Sequence, residues 1–197
     1  MYRVMTFNLL CYGSKHRKWK KRAPLVYKII REANPDSFGV QEAHYEWMKK
    51  LIKNLPEYAF VGVGRDDGKK KGEFSAVFYK KDKFTASDSG NFWLSETPDE
   101  MSKGWGASYY RICVNVLLKH KATGEHLNVF SVHLDFADEP KVNGMKLIMS
   151  KAAETDYPTY IAGDFNDTLT GAAYQATKEQ YRDTREYAPV TDYYTTC

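Results

Sequence analysis

Between residues 58 and 134 five strand-like runs follow one another with no helical segment between them, and strand–helix alternation frames them on both sides. The runs at 58–63, 74–80, 84–89, 111–120 and 127–134 are rich in β-branched and aromatic residues. Short turns such as Lys81-Asp82 and Thr123-Gly124 join some of them, as in antiparallel pairing. Ahead of this block, residues 3–9 read as a buried strand and 20–33 as a helix. That helix carries Leu25, Ile29 and Ile30 at helical spacing and stops at Asn34-Pro35-Asp36. Phe38 and Val40 then alternate in a second strand, and Trp47, Met48, Leu51, Ile52 and Leu55 form the apolar stripe of a second helix. Behind the block come a helix at 141–153, a strand at 159–162 and a helix at 172–181. Strand–helix units flanking a run of strands predict an α+β protein in which two sheets pack face to face with helices outside.

At 197 residues without repeats, low-complexity tracts or linkers, the chain reads as a single domain over 1–197. At this length roughly 70% of the unfolded surface can be buried in one core. A net charge of +4 permits nucleic acid, phosphate esters and acidic head groups as partners and selects none of them. Cys11, Cys113 and Cys197 are too few and too scattered for a disulfide framework or a cysteine-type zinc site. No run reaches the ~18 apolar residues of a membrane-spanning helix. The first residues lack the basic-then-apolar layout of a signal peptide, which leaves a cytoplasmic protein or an exported one with its leader removed. Oligomeric state has no signature here.

Polar residues gather at strand ends. Gly163-Asp164-Phe165-Asn166-Asp167 leaves an apolar strand, and side chains two apart in a strand share a face. Asp164 and Asn166 can therefore orient a water and hydrogen-bond an anionic oxygen together, or simply form a polar turn. Glu42 sits where a strand meets a helix N-terminus, placed either to cap the helix or to bind a hard cation such as Mg²⁺. Asn8 closes the first strand. In the segment VFSVHLD, Val129, Ser131 and His133 share one face and Phe130, Val132 and Leu134 the other. An imidazole at a strand exit can donate to a phosphate oxygen, and Glu73, opening another strand, is positioned to hold its second nitrogen. Arg111 opens a strand too, as a bidentate phosphate ligand or as a surface ion pair worth roughly 0–1 kcal/mol. Lys69-Lys70-Lys71 reads as a solvated loop, and the segment around Trp93 to Tyr110 as part of a pocket wall.

The segments TFNLL, VQE, GEFSAVFYKK, RICVNVLL, SVHLD and AGDFND occur in this order. Together they resemble the endonuclease/exonuclease/phosphatase superfamily, which includes pancreatic-type deoxyribonuclease. The stretches DDGKKKGEFSAVFYKKDKF and NFWLSETP are similar to its bacterial members. The resemblance implies a four-layer α/β/β/α sandwich of two mainly antiparallel sheets and Mg²⁺-dependent hydrolysis of a phosphate ester or diester, with Mn²⁺ as a substitute. It implies Glu42 as metal ligand with Asn8 beside it, Asp164 orienting the attacking water and Asn166 bonding the developing phosphorane. It further implies His133 on a phosphate oxygen, Glu73 fixing its tautomer, and Arg111 at the rim on substrate phosphate. Nuclease, lipid-phosphodiesterase and small-molecule phosphatase activities all occur among its members, so nucleic acid is one substrate class among several.

Members of this superfamily finish on an Asp-His pair preceded by further strands, the histidine serving as general base. Here Asp183 and Asp192 are late aspartates, and no histidine follows His133. Loss of a general base costs typically 10²–10⁴-fold in rate. The expectation is a domain lacking its last strands, a truncated hydrolase; the alternative is an inactive phosphate- or nucleic-acid-binding module of the same fold. Sequencing the source reading frame past codon 197 separates them. An in-frame continuation with late Asp and His supports the hydrolase, and a stop supports the binding module.

Overall fold

The computed structural model of the chain describes residues 2–10 and 18–187. One sheet contains β1 (Val4–Asn8), β2 (Ser37–Ala43), β3 (Tyr58–Gly64) and β4 (Phe74–Lys80), in the spatial order β1-β2-β4-β3. The other contains β5 (Phe84–Trp93), β6 (Ile112–His120), β7 (His126–His133) and β8 (Thr159–Asp164), in sequence order. Each sheet is mixed: β1 runs parallel to β2 and β8 parallel to β7, and the remaining pairs are antiparallel. Helices α1 (Trp19–Ala33) and α2 (Tyr45–Asn54) cover the outside of the first sheet. Helices α3 (Asp138–Ala152) and α4 (Ala172–Lys178) cover the outside of the second. This is the expected α/β/β/α sandwich.

Period-2 alternation divides the apolar residues among three cores. Phe38, Val40, Ala76 and Phe78 point outward to meet Trp47, Leu51 and Ile30 of the helices. On the second sheet Cys113, Phe130 and Val132 meet Met145 and Ile148 of α3. The opposite faces, carrying Val77, Val114, Val116, Leu127 and Val129, pack between the sheets. Burying an aromatic or branched side chain contributes about 1.5–3 kcal/mol, so the central strands β2, β4, β6 and β7 are held on both faces. The outward and inward sets of β7 are those read from the sequence.

Chain punctuation accounts for the ends. Asn34 caps α1 in the left-handed conformation, its N–H bonding Ile30 O at 2.9 Å. Helix α3 starts at Asp138, three residues earlier than expected, because Asp138 and Glu139 suit the positive end of the helix dipole and Pro140 is tolerated in a first turn. Strand β5 continues to Trp93, beyond the expected 89. Its Ser-Asp-Ser-Gly stretch shows no apolar alternation and is set by pairing with β6. Thr123-Gly124 does form a hairpin between β6 and β7. Lys81-Asp82 does not: β4 and β5 belong to different sheets, and this turn carries the chain across the sandwich. The lysine run at 69–71 is exposed, as expected. No described helix is long and apolar enough to cross a membrane. Cys11, His16, Asp192 and Cys197 lie outside the described residues.

Two close approaches position the polar end of the sandwich. A Cβ on Gly39 would lie 2.9 Å from Ser131 Oγ of the facing sheet, and Gln41 Nε2 donates to that same hydroxyl at 3.3 Å. A Cβ on Gly163 would lie 2.0 Å from the Val132 carbonyl oxygen of the neighbouring strand. Gly163→Ala must therefore push β8 away from β7 at the residue before Asp164. The expected loss is about 1–3 kcal/mol, the usual range for overpacking, read as a lower urea midpoint with unchanged slope.

Candidate active site

The ends of β1, β2, β7 and β8 meet at one end of the sandwich. Asn8, the last residue of β1, shares the inward parity of Val4, and its Nδ2 donates to Glu42 Oε1 at 2.9 Å and to Asp164 Oδ2 at 2.8 Å. One amide thus joins two carboxylates from opposite sheets. Its Oδ1 accepts from Leu10 N at 2.9 Å, which holds the chain leaving β1.

Glu42 reaches this point through an irregularity. Alternation from Val40 would send its side chain outward, away from Asn8. Pairing of β2 with β4 shifts register between Val40 and Ala43, a β-bulge, and Glu42 takes φ +57°. Bulges re-aim side chains in this way, and Ala43 returns to the outer core. Leu10 at φ +53° and Asn166 at φ +47° are also left-handed. Such non-glycine conformations cost of order 1–3 kcal/mol and persist where surrounding structure over-determines them.

Asp164 closes β8 on the inner face. Its Oδ1 accepts from Asn166 N at 2.9 Å, so both oxygens are held. The strand ends at Asp164, so the face-sharing argument for Asn166 does not apply. Asn166 sits in a turn, its Nδ2 donating to Leu134 O at 2.8 Å, and it joins the cluster through that turn.

His133 closes β7 and is buried. Its Nε2 lies 3.9 Å from Asp164 Oδ2. Burial, followed by the nearby Arg111 guanidinium, pushes its pKa down to about 4, so the imidazole is neutral at pH 7. The tautomer-fixing contact expected of Glu73 is absent: Glu73 Oε2 is 3.9 Å from Nδ1, beyond hydrogen-bond reach, and Nδ1 has no hydrogen-bond partner. Glu73 instead receives Arg65 Nη1 at 2.7 Å.

Arg111 also departs from expectation. It is 3% exposed rather than at the rim, and its Nε meets buried Asp135 Oδ2 at 3.2 Å. A buried pair differs from the surface bridge weighed above, since removing one partner costs about 3–5 kcal/mol. Arg65 and Asp135 were not singled out from the sequence. Arg65 had a signal: it lies two and four residues beyond Val63 and Val61, on the parity that faces the second sheet.

Glu42, His133 and Asp164 each offer a ligand atom within 4.8 Å of the others. Two carboxylates converging at this point suit a hard divalent cation of the Mg²⁺ or Mn²⁺ kind, so Glu42 and Asp164 fit the expected ion, whereas Asn8 turns its Nδ2 toward them and its Oδ1 to Leu10 N.

Residues 5–197 match the Endonuclease/Exonuclease/phosphatase family. The chain superimposes with TM-score 0.91 on an endonuclease/exonuclease/phosphatase of Bacteroides vulgatus, 34% identical, covering 95% of this chain and 76% of that one. It superimposes with TM-score 0.87 on a mannosyl-6-phosphatase of Bacteroides thetaiotaomicron, 38% identical, covering 91% and 71%. An uncharacterized protein of Acanthamoeba polyphaga mimivirus is 28% identical over 159 residues, 76% of this chain. The matched region spans 59% of that relative's length. The chain belongs to the endonuclease/exonuclease/phosphatase family and has its hydrolase fold.

Asn8→Ala removes the donor shared by the two carboxylates. The expected cost is about 0.5–1.5 kcal/mol, that of hydrogen bonds lost to half-buried carboxylates that water can still reach, measured by urea unfolding in the presence of a chelator.

Proposed function

We propose that this protein is a divalent-cation-dependent phosphoesterase that hydrolyses phosphate esters or diesters by in-line attack of water. The observation that carries this reading is the convergence of Glu42 and Asp164 on one Asn8 amide beside a neutral, buried His133. Likeness to a mannosyl-6-phosphatase makes a sugar phosphate the first substrate to assay.

In this reading Glu42 holds the cation, with Asn8 beside it. A bound Mg²⁺ or Mn²⁺ supplies positive charge to phosphoryl oxygens. Asp164, fixed through both oxygens, orients the attacking water. Neutral His133 donates one N–H to a non-bridging oxygen. Asn166, held against Leu134 O, stands next to Asp164 where its amide meets the charge that builds on phosphorus. Arg111, fixed by Asp135, adds positive potential from behind His133 rather than from the rim. Glu73 positions Arg65. Phosphate ester hydrolysis needs accelerations of up to about 10²¹-fold, and donors held before the reaction starts avoid reorganisation as charge develops.

Assays of the full-length protein with mannose 6-phosphate and a bis-aryl phosphodiester should show turnover with Mg²⁺ or Mn²⁺ that chelation abolishes. Glu42→Ala and Asp164→Ala should each lower kcat by about 10²–10⁴-fold with near-native circular dichroism. Turnover indifferent to chelator, or to both substitutions, would refute the assignment. Salt-sensitive phosphate binding without turnover would favour the binding-module alternative.

A further inference from the structure

Beside the carboxylate cluster lies a second group that the reaction as proposed does not use fully. Tyr109 and Phe136 are 50% and 64% exposed, unusual for large aromatic side chains at a site. Both rest on a buried guanidinium. Arg111 Cζ lies 5.7 Å from the Tyr109 ring centre and 5.2 Å from that of Phe136, and Arg65 Cζ lies 5.5 Å from Tyr109. These are cation–π distances. The guanidiniums are themselves anchored, Arg111 on Asp135 and Arg65 on Glu73. Asp135 Oδ1 also accepts from Phe136 N at 2.9 Å, tying that ring's backbone to the same carboxylate. Each ring is therefore held on one side and open to solvent on the other.

The guanidiniums beneath the rings carry unsatisfied donors. Arg111 Nη1 and Arg65 Nε are buried without hydrogen-bond partners. Arg111 is among the charges acting on His133, and Glu73 brings Arg65 within the same neighbourhood. A phosphate beside His133 thus has two guanidiniums near it, and the exposed rings of Tyr109 and Phe136 lie against those same guanidiniums.

We propose that Tyr109 and Phe136 form a leaving-group subsite that selects phosphate esters whose alcohol carries a ring with an apolar face. This rests on the phosphoesterase reading above. Aryl rings and saturated sugar-like rings share that chemistry, since both present a flat face to an aromatic platform. An aromatic contact beyond simple area burial contributes about 0.5–1.5 kcal/mol, which is up to about tenfold in affinity.

The test is calorimetric binding of three non-hydrolysable probes, phenylphosphonate, cyclohexylphosphonate and methylphosphonate, to the Mg²⁺-supplemented protein. The expected result is a ring preference of about five- to tenfold over methylphosphonate. Tyr109→Ala and Phe136→Ala should each shrink that ratio to below about twofold, and Phe136→Tyr should keep it. A merely structural role would weaken all three probes together and leave the ratio intact. Preference for phenylphosphonate alone supports the subsite and assigns an aryl or base ring; preference for both rings supports it and admits a sugar. Equal affinity for all three, or a ratio untouched by both alanine variants, overturns the subsite while leaving the phosphoesterase reading standing. Failure of every probe to bind overturns both.

Discussion

The side-chain amide of Asn8 stands where the two sheets meet and donates one hydrogen to a carboxylate on each. Two carboxylates brought this close repel. An uncharged double donor between them lessens that cost without neutralising the negative potential that attracts a cation. The rest of the site depends on this arrangement. It requires β1 and β8 to come together across the sandwich. That in turn rests on the close approach of Gly39 to Ser131 and of Gly163 to the β7 backbone.

Charge is sorted by position around His133. Glu42 and Asp164 lie on one side, and Arg65 and Arg111, each anchored by its own carboxylate, lie on the other. The imidazole between them is buried and uncharged, so it donates without competing with the cation or with substrate for charge. Such an arrangement concentrates opposite potentials within a few ångströms, and in a partly buried setting they are screened far less than at the surface. An anion entering the site meets positive groups on both sides once a cation is held.

The irregular backbone follows the same logic. Among the described residues, five non-glycine residues have positive φ, and Leu10, Glu42 and Asn166 lie at the site. Asn34 is a helix cap, where this conformation is ordinary. Leu10 and Asn166 follow the ends of β1 and β8, Glu42 lies in the bulge near the end of β2, and each turns a side chain or the chain itself at the polar end of the sandwich. Regular strands would deliver the same residues to alternate faces and scatter them.

Much of this protein was legible in its sequence. Alternation assigned the two faces of β7, helical spacing located α1 and α2, and ordered motifs resembling a known family pointed to Asn8, Glu42, His133 and Asp164. These features are local or pattern-like, so a one-dimensional reading can hold them. Three matters were not legible. The bulge that turns Glu42 inward depends on the register between β2 and β4. The turn at Lys81-Asp82 looks the same whether it closes a hairpin or crosses between sheets. Arg111 reads as a rim residue until Asp135 and the aromatic rings around it are placed in space. The sequence by itself determined which side chains stand at strand ends and which faces are apolar, because those follow from short-range periodicity. Only the tertiary structure decided which of those ends meet, because that depends on contacts between residues more than a hundred positions apart, such as Asn8 with Asp164.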